Sequence, residues 1–170
     1  GQLEELKLSD IVLNEENWFL TATLPANTDK PYDRIGFISH VDTADFNVEG
    51  ISPQVVENYD GEDIILNKEK NIIMTTKEFP NLKNYKGLTL VTTDGTTLLG
   101  ADDKSGVTEI VTAGAYLLQH PEIKHGKIMC AFGPDEEIGT GADHFDVKQF
   151  PVDYAYTIDG ESLGQLEYET

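Results

Sequence analysis

Four short segments of the sequence carry side chains of the kind that bind metal ions in proteins. Two adjacent carboxylates, Asp102 and Asp103, follow an apolar run and come just before a predicted helix. Two neighbouring charges at the edge of a core repel each other and lose solvation, so a cation or hydrogen-bond donors must neutralise them. Comparable residues occur in three other segments: His40 with Asp42, Glu136 with Glu137, and Asp159. We predict that the fold brings these four segments together.

One imidazole combined with several carboxylates favours zinc, manganese or cobalt over calcium, and it differs from a thiolate-bound structural zinc site. Because carboxylates are in excess, two ions can share such a site. A carboxylate such as Asp102 could bridge them, with His40 and Asp159 on one ion and Glu137 on the other. Two ions would lower the pKa of a bound water and polarise a substrate carbonyl. The predicted chemistry is therefore metal-assisted hydrolysis.

The remaining acidic residues are candidates for supporting roles. Glu136 is the candidate general base, because adjacent residues at a strand end can direct one side chain to a metal and the other to its water. Asp42 could accept the ring N–H of His40 that a metal leaves free and so orient the imidazole. Asp103 is interpreted as structural. Taken singly, such residues are ordinary strand ends, helix caps or turns, so the prediction depends on all four segments together.

The predicted strands explain why these residues should meet. Apolar runs predict a hairpin over 11–24, buried strands over 34–39 and 127–132, and a further strand over 154–158. His40, Glu136 and Asp159 each follow one of these three apolar strands closely. Ligands of open α/β sheets gather outside the carboxyl ends of the strands. We therefore predict an α/β fold, a three-layer α/β/α sandwich with a mixed, mostly parallel sheet.

The other elements complete this picture. A helix is predicted over 104–120, where apolar or small residues recur at helical spacing and Pro121 ends the pattern. The polar stretch 43–86 is predicted to be an excursion of loops and short strands. Further predicted elements are the end of a helix at 3–6, a hairpin over 88–99 that turns at Asp94-Gly95, a short helix over 139–145 and a half-exposed strand over 164–169.

Composition limits the classes of function. The 170 residues are 39% apolar, enough for one compact domain, and their 12 basic and 31 acidic side chains give a formal charge of −19. Such a surface repels phosphate backbones and anionic membranes, so we expect neither nucleic acid nor membrane as a partner. The single Cys130 excludes an internal disulfide and is predicted to be a buried strand thiol. With neither a secretory signal nor a membrane span evident, we predict a soluble, cytoplasmic protein.

Beyond these physical arguments, four motifs resemble those of the M20 family of dizinc metallopeptidases. They are SHVDT at 39–43, LLGADDKS at 98–105, PDEEIG at 134–139 and TIDG at 157–160. Within that family the sequence is most similar to the tripeptide aminopeptidases, and the similarity runs nearly from end to end. The expected fold is accordingly that of a zinc-peptidase catalytic domain.

The resemblance implies a cytoplasmic enzyme that removes the N-terminal residue from tripeptides with two Zn²⁺ ions, for which Co²⁺ or Mn²⁺ could substitute. It implies that His40, Asp102 and Asp159 bind one zinc, and that Asp102 and Glu137 bind the other. Glu136 would be the general base and Asp42 the residue that supports His40. It also implies a cis peptide bond between Asp102 and Asp103.

The resemblance also indicates what else the full-length enzyme contains. The family continues into a smaller dimerisation domain and then completes the catalytic domain, where a last His binds the second zinc. We therefore predict that residues 1–170 are part of a single catalytic domain, with one complete metal site, one deficient site and weak or no activity alone. The full-length protein would be a homodimer. Glu161, where such enzymes often have Gly, would add a carboxylate near the site, and Gly133 replaces a residue that is more often polar.

Two other functions fit the same residues. One is a related deacylase or amidohydrolase that cuts an amide in a small metabolite with the same metal core. The other is an acidic metal-binding module without catalysis. Substitution of Glu136 separates catalysis from binding, because a general base affects turnover whereas a metal ligand affects metal affinity.

Overall fold

A five-stranded mixed sheet forms the centre of the first of two compact units into which the chain folds. In the computed structural model, residues 1–160 and 164–168 are described. The first unit comprises Gly1–Ala44 and Ala101–Thr170, and the second comprises Asp45–Gly100. That residues 1–170 belong to a single catalytic domain stays a prediction, since the division into units does not test it.

Nine strands and three α-helices are assigned within the described ranges. The strands are β1 (Ser9–Leu13), β2 (Leu20–Leu24), β3 (Ile35–His40), β4 (Gln54–Val56), β5 (Ile64–Asn67), β6 (Ile72–Met74), β7 (Leu90–Thr92), β8 (Ile128–Gly133) and β9 (Tyr154–Thr157). The helices are α1 (Gln2–Glu5), α2 (Lys104–Gln119) and α3 (Gly141–His144), and a 3-10 helix spans Pro80–Tyr85.

The sheet of the first unit has the strand order β1-β2-β8-β3-β9. Strand β3 runs parallel to both β8 and β9, whereas β2 runs antiparallel to both β1 and β8. The predicted α/β class with a mixed sheet is confirmed, and so are the first hairpin and the three strands β3, β8 and β9, although all four residues of β9 are exposed. Two of the four strand pairings are parallel, and they are the ones that carry the predicted site residues.

Alternation along β8 sends side chains to both faces of this sheet. Cys130 and Phe132 pack with Val107 and Ile110 of α2 on one face. Met129 and Ala131 belong to a second cluster on the other face, and the segment 145–152 packs there. The prediction of a buried strand thiol is confirmed for Cys130, and burial raises the pKa of this thiol to about 11.

Helix α2 follows the predicted boundaries closely. Its apolar face contributes Val107, Ile110 and Val111 to the core. It starts at the cap residue Asp103 and ends at His120, directly before Pro121, whose ring prevents the helix from continuing. The first residue of this helix therefore follows immediately after the predicted ligand segment.

The second unit contains two small antiparallel sheets, β4 with β7 and β5 with β6. Its core consists of Tyr59, Ile64 and Leu66. The short strands predicted inside 43–86 are thus present. The predicted hairpin over 88–99 is wrong, because β7 pairs with β4 and the residues after it form a loop.

In that loop, side chains rather than a neighbouring strand form the hydrogen bonds to the backbone groups. Thr93 Oγ1 accepts from the N–H of Gly95, at 3.0 Å, and donates to the carbonyl of Thr97, at 3.1 Å. The N–H of Thr96 donates to Asp94 Oδ1 at 2.9 Å. Such side-chain bonds compete with strand pairing, and this is why the apolar residues that follow do not return as a strand.

The strand predicted over 164–169 is also wrong for its described part. Residues 164–168 are exposed and have no strand assignment, and position 169 lies outside the described residues. Alternation of polar and apolar residues suits a strand only where a neighbouring strand pairs with it. Within the described ranges, no helix is both long and apolar enough to cross a membrane.

Candidate metal centre

Three parallel strands of the first unit end at the same edge of the sheet. His40 is the last residue of β3 and pairs in register with Gly133, the last residue of β8. Glu136 follows β8 by three residues, and Asp159 follows β9 by two. Because β3 is parallel to both neighbours, all these chain ends reach one edge. Asp102 reaches it from the segment that precedes α2.

The imidazole of His40 lies at the centre of a group of carboxylates. Its Nε2 is 3.0 Å from Asp102 Oδ1, 3.7 Å from Glu136 Oε2 and 3.8 Å from Asp159 Oδ2. One ligand atom from each of His40, Asp102 and Asp159 lies within 4.8 Å of the others. The imidazole is 6% exposed, whereas the Asp102 side chain is 64% exposed. The group is therefore anchored on the protein side and open on the solvent side.

Asp42 holds the opposite edge of the same ring. His40 Nδ1 is 3.1 Å from the backbone oxygen of Asp42 and 3.3 Å from its Oδ1. A proton on Nδ1 is donated to the backbone oxygen of Asp42 and leaves the lone pair of Nε2 directed at the carboxylate group. Asp42 Oδ2 also accepts the backbone N–H of Glu137 at 3.2 Å, which ties the end of β3 to the Glu136-Glu137 segment.

Asp103 joins the strand end to the helix start. Its side chain is 0% exposed, and Oδ2 accepts hydrogen bonds from the His40 N–H, at 3.1 Å, and from the Ser39 hydroxyl. Its Oδ1 accepts the N–H of Gly106 at 3.1 Å as the cap of α2. The interpretation of Asp103 as structural is confirmed. The Asp102–Asp103 peptide bond is cis, as the resemblance implies.

Two residues of this arrangement are absent from the sequence predictions. Ser39 is 1% exposed and donates to Asp103. Gly106 sits so close that an added Cβ would lie 2.5 Å from both Asp103 Oδ1 and the carbonyl oxygen of Ile158. A serine immediately before a predicted ligand and a glycine in a first helical turn are the sequence signals that could have identified them.

Crowding changes the proton affinities of the group. Burial raises the pKa of Glu136 and of Asp159, and neighbouring carboxylates raise both further. Burial lowers the pKa of His40, but the hydrogen bond to Asp102 and the charges of nearby carboxylates outweigh it, so that the pKa is raised. The negative charges thus exceed what one imidazolium can neutralise, and a bound cation would relieve this excess.

The predicted site residues do not all lie equally close to the imidazole of His40. His40, Asp102, Asp159 and Glu136 come together, with Asp42 behind the imidazole. The carboxylate of Glu137 is outside the group of three ligand atoms, although its backbone contacts Asp42. Glu161 lies outside the described residues. The donor set of one imidazole nitrogen with carboxylate oxygens fits zinc, cobalt or manganese.

Comparison with known proteins agrees with the resemblance read from the motifs. The Peptidase T of Fusobacterium nucleatum is 67% identical over 169 residues, which cover 99% of this chain and 41% of that protein. The Peptidase T of Enterococcus faecalis is 65% identical over 170 residues, which cover 99% of this chain and 42% of that protein. The chain thus spans about two fifths of the length of these relatives. No protein-family model matches it.

Two solved structures share the fold. The aminopeptidase PepT from Bacillus cereus matches with a TM-score of 0.66 at 26% identity, over 95% of this chain and 36% of that chain. A tripeptidase from Staphylococcus aureus matches with a TM-score of 0.62 at 22% identity, over the same shares of the two chains. These neighbours confirm an α/β peptidase fold.

Proposed function

We propose, since the chain is homologous to peptidase T, that it carries part of the active site of a metallo-aminopeptidase that releases the N-terminal residue from tripeptides. The observation that supports this most is the convergence of His40, Asp102 and Asp159 at one sheet edge, with Glu136 beside them. The names of the Bacillus and Staphylococcus neighbours, an aminopeptidase and a tripeptidase, agree with this choice of substrate.

In this proposal His40, Asp102 and Asp159 would hold one zinc ion, and Asp102 and Glu137 would hold a second. Cobalt or manganese would fit the same donors. When bound, the metal supplies a water of lowered pKa and polarises the substrate carbonyl. The accessible Asp102 carboxylate has two oxygens, as a ligand to both ions requires.

Glu136 is proposed as the general base. Its Oε2 lies 3.7 Å from the proposed ligand atom of His40, and its side chain is 54% exposed, so both the site and the substrate side are within reach. Burial raises its pKa, and a carboxylate with a raised pKa exchanges protons more effectively near neutral pH. Glu136 would take a proton from the attacking water and pass it to the departing amine.

Asp42 is proposed to position His40. Its backbone oxygen and its Oδ1 face Nδ1, so the proton stays on that nitrogen and Nε2 stays available. Asp103 and Ser39 would hold the same imidazole from its backbone side. The ring is thus fixed at both ends before any ligand binds.

The chain corresponds to about two fifths of its relatives, so the activity of a whole protein is part of the proposal. We propose that residues 1–170 supply one complete metal site and part of a catalytic domain, with weak or no turnover alone. A homodimer of the full-length protein and a cytoplasmic location stay predictions of the family resemblance.

Substitution of Glu136 tests the proposal. The zinc-loaded chain, and a longer protein that contains it, would be assayed with a tripeptide, a dipeptide and an N-acyl amino acid. We expect tripeptide cleavage to prevail and the Glu136→Gln variant to lose about 10²- to 10⁴-fold in kcat with zinc still bound. Zinc content would be measured by mass spectrometry of the native protein.

Glu109→Gln is the matched control, because Glu109 is an exposed glutamate on α2. It should keep both zinc and turnover. Loss of zinc together with turnover in Glu136→Gln would favour a metal-binding module instead. Preferred cleavage of the N-acyl amino acid would favour a deacylase. Absence of tripeptide cleavage by the longer protein would refute the proposal.

A further inference from the structure

An aspartate followed directly by a glycine occurs three times in the chain, at 60–61, 94–95 and 159–160. Such pairs are chemically reactive, because glycine has no side chain to shield its nitrogen and its backbone rotates freely. The nitrogen can attack the carboxyl carbon of the aspartate and close a five-membered succinimide ring. The rate for a given pair depends on where the fold holds the carboxyl group relative to that nitrogen.

At the first two pairs, the carboxylate bonds to a group beyond the glycine. Asp60 Oδ1 accepts the N–H of Glu62 at 3.0 Å. Asp94 Oδ1 accepts the N–H of Thr96 at 2.9 Å and its hydroxyl at 2.6 Å. At this second pair the N–H of the glycine itself donates to Thr93 Oγ1, at 3.0 Å. These contacts direct each carboxylate past the glycine nitrogen, so the fold protects both pairs.

The third pair has the opposite arrangement. The N–H of Gly160 donates to Oδ1 of Asp159, the residue directly before it, at 2.6 Å. The carboxyl carbon is one covalent bond beyond that oxygen, so the two reacting atoms are held close together, as a fast intramolecular reaction requires. When the nitrogen loses its proton, the electron pair that held this proton points towards the carboxyl group.

The surroundings of the third pair leave room for the ring to close. The Asp159 side chain is 34% exposed, so water can reach it. Among the described residues, nothing lies within 4 Å of a Cβ added to Gly160. Both residues also lie outside the regular elements, since β9 ends at Thr157. The backbone at this pair can therefore move as the reaction requires.

We propose that Asp159 is a site of spontaneous covalent modification, at which the fold promotes succinimide formation and conversion to isoaspartate. In the first step a bond forms between the Gly160 nitrogen and Asp159 Cγ, and the amide proton leaves with the carboxyl hydroxyl as one water molecule. Water then adds to the former backbone carbonyl carbon, whose bond to the nitrogen breaks. The chain now runs through Cβ and Cγ, and the free carboxylate is attached directly to Cα.

This product changes the candidate metal centre. Asp159 Oδ2 lies 3.8 Å from His40 Nε2 in the unmodified chain. Isoaspartate has a carboxylate arm that is shorter by one methylene and a backbone that is longer by one, so the ligand oxygen moves away from the imidazole. The modification thus removes a proposed ligand without a change of mass. Ring closure itself is independent of the proposed function, whereas this consequence for the metal centre rests on it.

Ageing of the metal-free chain at neutral pH tests the proposal. Lysines lie between the three pairs, so trypsin releases them in different peptides, in which electron-transfer mass spectrometry would quantify isoaspartate. We expect isoaspartate to form at Asp159 at least about tenfold faster than at Asp60 or Asp94 in the folded chain. In concentrated guanidinium chloride the three rates should become similar, because the fold no longer sets the geometry.

Gly160→Ala should slow the reaction at Asp159 by at least about tenfold, since the methyl group shields the nitrogen and restricts the backbone. Gly160 does not have a left-handed φ, and the methyl group meets open space among the described residues, so folding should be preserved. Gly114→Ala is the matched control, because it adds a methyl group in open space after Ala113 rather than after an aspartate. It should leave the rate at Asp159 unchanged. Circular dichroism would verify that both variants fold.

Zinc affinity, measured by isothermal titration calorimetry, should fall as isoaspartate accumulates in the wild type and stay constant in Gly160→Ala. An isoaspartyl methyltransferase with S-adenosylmethionine, which returns isoaspartate to the succinimide and from there to aspartate, should restore the affinity.

Three results would each overturn the proposal: equal rates at the three pairs of the folded chain, a preference for Asp159 that persists in guanidinium chloride, and an undiminished rate in Gly160→Ala. Unchanged zinc affinity of the modified chain would overturn the consequence for the metal centre. Failure of the unmodified chain to bind zinc would instead count against the proposed function, and the preference for Asp159 would stand.

Discussion

Two acidic residues of the second unit, Asp63 and Asp94, accept hydrogen bonds from close neighbours, whereas the acidic residues at the sheet edge of the first unit are crowded together. Asp63 accepts hydrogen bonds from the N–H and hydroxyl of Thr76, and Asp94 accepts both from Thr96, so the pKa of each carboxyl is lowered. Burial and neighbouring carboxylates raise the pKa of Glu136 and Asp159 instead.

This difference shows which carboxylates are available to bind a ligand. A carboxylate that already accepts local hydrogen bonds gains little from a cation, whereas crowded carboxylates gain the relief of their mutual repulsion. The −19 charge of the chain therefore says little about function by itself. What distinguishes the candidate site, among the described residues, is that several carboxylates crowd around one imidazole.

The largest effect should follow from Asp103→Ala, because this change leaves the backbone N–H groups of His40 and Gly106 without their acceptor and removes one of the two acceptors of the Ser39 hydroxyl. We expect the free energy of unfolding to fall by about 3 kcal/mol or more, at about 1–3 kcal/mol for each unsatisfied buried group. Urea denaturation would be followed by the fluorescence of Trp18, in the first unit.

Asp94→Ala in the second unit is the control for Asp103→Ala. It removes an acceptor that lies nearer to solvent, so its effect on the free energy of unfolding should be clearly smaller. Equal losses for the two variants would contradict the distinction between a buried carboxylate that joins two elements and one that shapes a loop.

Metal binding should depend on the first unit alone. We expect His40→Ala to lower zinc affinity by at least about 100-fold, since loss of a partner outside the ligand shell already costs about 10- to 100-fold. Isothermal titration calorimetry would measure the dissociation constant. Asp63→Asn should bind zinc as the wild type does, and a comparable loss in that variant would mean that general acidity, rather than the group around His40, holds the ion.

Packing around the site should also be less tolerant than packing elsewhere on the same helix. Gly106→Ala should destabilise the chain by about 1–3 kcal/mol, because the new methyl group would overlap Asp103 Oδ1 and the Ile158 carbonyl. Gly114→Ala, where nothing lies within 4 Å of an added Cβ, should stabilise it by about 0.5–1 kcal/mol. Thermal unfolding of the two variants would compare these effects, and a neutral Gly106→Ala would argue against the close approach of α2.

The smallest effect should come from Asp153, a carboxylate of the first unit that resembles those of the second. The hydrogen bond from the Arg34 side chain lowers the pKa of Asp153 to about 2, from an ordinary value of 3.8. Ionised Asp153 thus stabilises the fold above about pH 4, and this contribution is lost as the pH falls towards 2. The stability difference between wild type and Asp153→Asn should shrink over that window, and a difference that is constant with pH would contradict the ion pair.

Much of the first unit was predictable, because its strands and its main helix have strong local patterns. The strands β3, β8 and β9 and the helix α2 follow directly from apolar runs and helical spacing. The loop after β7 could not be predicted from such patterns, because Thr93 and Asp94 replace strand pairing with side-chain hydrogen bonds. The strand predicted over 164–169 was wrong for residues 164–168 for a related reason. Alternation of polar and apolar residues predicts a strand without saying whether another strand pairs with it.

The kinds of side chain and their places after strands and before a helix can be read from the amino-acid order, and they suffice to predict a metal centre with His40, Asp102 and Asp159. The three-dimensional fold is needed to show which carboxylates share the imidazole, that Asp103 faces inward to three donors, and that an apolar cavity adjoins Glu136. This is because spacing along a chain sets only local geometry. Distances between residues 40, 102 and 159 depend instead on the parallel order of β8, β3 and β9.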